Sequence, residues 1–145
     1  VMMSGLRRSE VRTEVTSEEL KEYIDTIEET YEFFLAYAAQ GVSGSGKISG
    51  ELTRYLSRAD QALAAFEGGI GGAAEGKDVE AVEAMDQVLQ RDAGNTRAAL
   101  KLVMAQSSIS SQLIDNLNAS IHFRALLTDL FLVDEALKAS LAAPG

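Results

Sequence analysis

The stretch NTRAALKLVMAQSSISSQLIDNLNASIHFRALLTDLFLVDEALKASLAA, residues 95–143, contains neither glycine nor proline and decides how the rest of the chain must fold. Alanine, leucine, lysine and glutamine favour helix, and nothing in the stretch breaks one. As a single helix it would reach about 70 Å at roughly 1.5 Å per residue, too long for a compact domain of this size. It must therefore bend, break or protrude.

The phases of its apolar side chains say where. At about 100° per residue, and with Ile109 at zero, Leu102, Val103, Ile109, Leu113, Ile114, Leu117 and Ile121 form an arc centred near roughly 80°. Phe123, Leu126, Leu127, Leu130, Val133, Leu137 and Leu141 form a second arc centred near roughly 290°. A straight helix cannot turn both arcs to one core. The expectation is a kink or short loop between residues 116 and 124, where Asn116, Asn118 and Ser120 lower helix propensity. The alternative is a straight helix with two different partners, one of them a second copy of the chain.

Upstream of this stretch the pattern is also helical. Thr16 and Glu19 have the spacing of a capping box, with Val15 and Leu20 as a hydrophobic staple. Leu20, Tyr23, Ile24, Ile27, Tyr31, Phe34 and Ala38 then mark one buried face, ended by Gly41. A Gly/Ser linker covers residues 41–50. A second helix starts near Ser49 or Glu51 and ends at Phe66, carrying Leu52, Tyr55, Leu56, Ala59 and Leu63. Gly68, Gly69, Gly71 and Gly72 read as a break, since each would cost a helix roughly 1 kcal/mol. A third helix over about 78–91 buries Val79, Val82, Met85 and Leu89; Gly94 is expected to stop it, with Asn95 or Thr96 capping the next.

The chain of 145 residues is 46% hydrophobic but only 6% aromatic, enough for one core, mostly aliphatic and rich in alanine. No segment alternates as a strand would. These readings converge on an all-α fold, an antiparallel bundle of four or five helices, with a flexible N-terminal arm over 1–15 and a single helical domain over 16–143. The net charge of −9 excludes nucleic acid and anionic membrane as partners. The last third, residues 95–145, is balanced, with four acids and four bases. Without cysteine there is no disulfide, thiol chemistry or Cys-ligated zinc, and without a long apolar run no membrane insertion is expected. A cytoplasmic location is the expectation.

Two catalytic patterns fail on their chemistry. GVSGSGKIS, residues 41–49, spaces Gly41, Gly46 and Lys47 like a phosphate-binding loop, but Ile48 stands where a Ser or Thr would hold Mg²⁺ and a helix precedes it instead of a strand. A carboxylate-bridged metal pair would need Glu-x-x-His, yet the one histidine, His122, has Ala119 three residues before it. Glu22, Asp25, Glu29 and Glu32 lie on the solvent side of the first helix. No cofactor or metal is expected.

Residues 76–100, GKDVEAVEAMDQVLQRDAGNTRAAL, resemble the second helix of a tetratricopeptide repeat followed by the start of the next. Gly76, Ala81, Met85, Leu89, Asp92, Asn95 and Ala98 carry the resemblance, while Ala93 replaces the usual proline. It implies an antiparallel helix pair and no more, because the pattern does not recur.

The remaining signal is Leu126, Leu127, Leu130, Phe131, Leu132 and Val133, which encircle their helix. A helix apolar all round is buried all round, so a domain this small either buries the segment centrally or leaves part of it to meet another protein or a second copy. Asp134 would be either a polar element of that interface or the partner of Lys138 four residues on. The expected function is noncatalytic interaction, scaffolding or assembly, as a homo-oligomer. The competing expectation is a small-molecule or metal-binding bundle, enzymatic in that case, with a pocket lined by Tyr31, Tyr55, Met85 or Met104.

Overall fold

The computed structural model describes residues 15–41, 50–74 and 79–142. Its helices are α1 (Ser17–Ala39), α2 (Gly50–Glu67), α3 (Val79–Met104), α4 (Ser111–Ala119) and α5 (Ile121–Ala142), with a 3₁₀ turn over Gly71–Ala74 before α3. No strand occurs among the described residues.

α1 begins as its sequence dictates. The Thr16 hydroxyl accepts from the Glu19 N–H at 3.2 Å, and the Glu19 carboxylate accepts from the Thr16 N–H at 3.0 Å. Val15 and Leu20 are both buried. Val15, assigned to the arm by composition, therefore belongs to the folded part, and its N–H donates to the Gly69 carbonyl at 3.1 Å. Residues 1–14 and the phosphate-loop look-alike at 42–49 lie outside the described residues.

Cross-helix contacts fix the directions. Between α1 and α2, Tyr23 meets Phe66 and Phe33 stacks on Tyr55 with ring centroids 4.2 Å apart, so the two run antiparallel. Between α2 and α3, Arg97 bonds Asp60 at 2.8 Å and Glu67 at 3.0 Å, while Gly94 lies against Glu67. α4 runs antiparallel to α1: the Tyr37 hydroxyl donates to the Ile109 carbonyl and the Ser111 hydroxyl to the Tyr37 carbonyl, each at 2.7 Å, and Asn118 reaches the Tyr31 carbonyl at 3.4 Å. Phe123 of α5 meets Tyr31 and Phe34 edge-on. Four positions are thus filled up-down-up-down, and α4 with α5 together form the fourth rod.

That rod breaks at Ser120, whose extended backbone (φ −63°, ψ 149°) caps α4 within the expected interval. Its hydroxyl then accepts from the Phe123 N–H at 3.2 Å and starts α5. The break lets α4 pack chiefly on α1 and α5 chiefly on α3, which is what two divergent apolar arcs require.

Several sequence expectations need correction. Gly94 does not stop a helix; α3 continues through it to Met104, and the described residues 79–100 of the tetratricopeptide-like stretch form one helix. A Cβ at Gly94 would come within 2.9 Å of the Glu67 carboxylate, so the glycine makes room for a neighbour. A second break, over residues 105–110, carries no glycine or proline; Ser110 caps α4 by accepting from the Leu113 N–H at 3.1 Å. This loop resets the helical phase. Leu102 (66% exposed) and Ile121 (75% exposed) consequently face outward, although a continuous helix would have placed them in the first arc. The glycine segment does break the chain: Gly69 has φ 102°, and Ile70 plugs into the core with its N–H donated to buried Asp86 at 3.0 Å.

Candidate functional site

α5 carries the expected interaction residues, and the bundle divides them. Leu126, Leu127, Leu130 and Val133 are buried against the chain's own helices. They complete the core and are closed to any partner in this conformation. Phe131 (52%) and Leu132 (59%) are exposed. Consecutive helical residues point about 100° apart, so these two belong to different surfaces.

Phe131 borders a shallow depression with Tyr31, Arg124, Leu127 and Thr128. Leu132 lies on the side facing α3. There Leu132, Val133, Ala136 and Leu137 of α5 oppose Ala81, Val82 and Met85 of α3, with Ile70 at the base, around a groove of about 280 Å³. Every lining side chain is apolar. The groove exists because Ala81 and Ala136 are too short to close the space between two helices that run antiparallel here. Asp134 pairs with Lys138 at 3.2 Å, the ordinary i, i+4 surface arrangement, beside Leu20 and Lys21 of α1. Nearby Glu28 has its pKa raised, by burial first and then by the charges of Asp25, Asp134 and Glu32.

The residues of the competing pocket stand apart. Tyr31 packs on Phe123, Tyr55 stacks on Phe33 with Arg54 and Arg58 over its ring, Met85 lines the groove, and Met104 is exposed at the end of α3. Among the described residues no cluster of three or more His, Asp or Glu side chains could hold a metal ion. Glu22, Asp25, Glu29 and Glu32 are exposed, with Glu29 paired to Arg58 at 3.4 Å, and His122 is a surface residue whose carbonyl accepts from the Thr96 hydroxyl at 2.9 Å.

The sequence reading missed a polar pair on the α3–α5 seam. Asp129 is only 9% exposed, its Oδ2 has no hydrogen-bond partner, and its carboxyl faces that of Asp92 on α3. Burial, followed by hydrogen bonding and charge from Asp92, pushes its pKa up to about 7. The clue was present in the spacing. Leu126, Asp129, Leu130 and Val133, like Leu89, Asp92, Ala93 and Thr96, follow the 3,4 rhythm of a buried face with an acid inside it.

Among the described residues no helix is long and apolar enough to cross a membrane. Compared with known proteins, the chain matches no family model, no characterised relative and no solved structure.

Proposed function

We propose that this chain is a noncatalytic assembly module that pairs with a second copy of itself through the α3–α5 face. The observation that carries the reading is the wholly apolar groove with Leu132 projecting at its rim. Knob and hole lie on one face, so a two-fold axis can seat the Leu132 of each copy in the groove of the other. Charge favours the same face. The chain carries −9, but α5 has three acids against two bases where α1 has seven against one, so two acidic copies repel each other less across α5 than across α1. The groove is smaller than the roughly 300–1,000 Å³ of small-molecule sites and offers no polar group to orient a ligand.

Light scattering coupled to size separation tests this with the parent chain and Leu132→Glu. The parent is expected to have the mass of a dimer, more so at higher salt as repulsion is screened. The variant should be monomeric with an unchanged helical circular dichroism spectrum, because position 132 is outside the core. A parent that stays monomeric at hundreds of micromolar, or a variant that remains dimeric, overturns the proposal.

A further inference from the structure

We propose that Asp92 and Asp129 form a proton-operated clasp on the α3–α5 seam: one proton shared between the two carboxyls holds the helices together, and its loss sets two negative charges against each other and loosens them.

The placement demands such a proton. Asp129 sits among Leu126, Leu130 and Val133, more than nine-tenths buried, with Oδ2 bonded to nothing. A buried carboxylate without donors is costly, whereas a carboxylic acid can donate to the facing Asp92. Among the described residues, no cation pairs with either carboxyl. From α3, Arg97 is held by Asp60 and Glu67 of α2. On α5, Arg124 lines the same shallow surface cleft as Thr128 and Asp129 but makes no ion pair among the described residues, and exposed His122 makes none either. From α1, Glu28 acts on the Asp134–Lys138 end of α5, away from Asp129. No charged side chain of α4 or the 3₁₀ turn acts on Asp129. Among the described residues, Asp92 is therefore the charged group that acts on it, and it repels.

The direction with pH follows. A buried acid whose pKa is raised to about 7 stabilises the seam while protonated, and that contribution is lost as pH rises toward and through neutrality. The same two helices form the walls of the apolar groove, so the clasp also sets how firmly Val82 and Met85 are held opposite Val133 and Leu137.

Two measurements on the full chain test the clasp independently of self-association, both made on a Leu132→Gln background, which removes the protruding side chain and adds no charge beside Asp129. Carbon-detected NMR of aspartate side-chain carboxyls should find Asp129 titrating near neutral pH. Amide exchange across residues 121–137, corrected for intrinsic rates, should be at least about tenfold faster at pH 8 than at pH 5.5, the equivalent of one pKa unit. Asp129→Asn or, should that variant fold poorly, Asp92→Asn should abolish the acceleration, since either removes one of the two charges. An ordinary carboxylate titration for Asp129, or the same acceleration in both variants, overturns the proposal.

Discussion

Replacing Asp129 by Asn keeps the side chain's shape, removes its charge and leaves an amide that can donate to Asp92. In the parent, the folded chain between pH 4 and 7 holds a proton that the unfolded chain has released, so stability falls as pH rises through that window and the whole loss is present above it. The interval from 3.8 to about 7, at about 1.4 kcal/mol per tenfold, bounds the effect at about 4 kcal/mol. Water entering a loosened seam screens the pair and brings the observable figure to about 1–4 kcal/mol. At roughly 3 °C per kcal/mol for a chain of this length, Asp129→Asn should raise Tm at pH 8 by about 3–12 °C and scarcely change it at pH 4. Thermal melts followed by circular dichroism at half-unit pH steps provide the assay. A variant less stable than the parent at pH 8, or one whose Tm declines with pH as steeply as the parent's, would refute the reasoning.

Three further outcomes are expected in equilibrium unfolding. Gly94→Ala should raise stability by up to about 1 kcal/mol from helix propensity, because the Glu67 carboxylate it displaces is the end of a flexible side chain in a partly exposed ion pair. Asp86→Ala should cost about 1–3 kcal/mol, since it strands the buried Ile70 N–H. Leu126→Ala should cost about 2–5 kcal/mol, whereas Phe131→Ala should stay within about 0.5 kcal/mol when measured on the monomer, because only the first is inside the bundle.

What was legible in the sequence was local. Thr16 and Glu19 specify the start of α1 within one turn, and the two leucine-rich arcs on either side of Ser120 encode the break because periodicity is carried by the chain itself. What was hidden depends on partners distant in sequence. Gly94 is a stop signal in isolation and a packing surface once Glu67 arrives from α2. The break at residues 105–110 lacks any residue that forbids helix, and it appears because Ile109 and Ser111 are claimed by Tyr37 of α1. Likewise, four of the encircling apolar residues of α5 close the chain's own core and only Phe131 and Leu132 stay exposed, a division set by the neighbouring helices, and Asp129 gains its meaning only when α3 sets Asp92 against it.

The fourth rod also sets an order of events during synthesis. Neighbouring rods α1, α2 and α3 join through nearby stretches of chain, but the bonds tying α1 to α4 span 72 to 87 residues. At about 5–20 residues per second the ribosome needs roughly 4–17 s to supply that length, during which one flank of α1, around Phe34 and Tyr37, has nothing to cover it. Late in that interval, once α3 is complete at Met104, the nascent chain is an open three-rod layer of helices with an apolar side until α4 arrives. Slowing elongation after Met104 should lengthen that interval and increase co-translational aggregation, even for a sequence whose finished fold is unaltered.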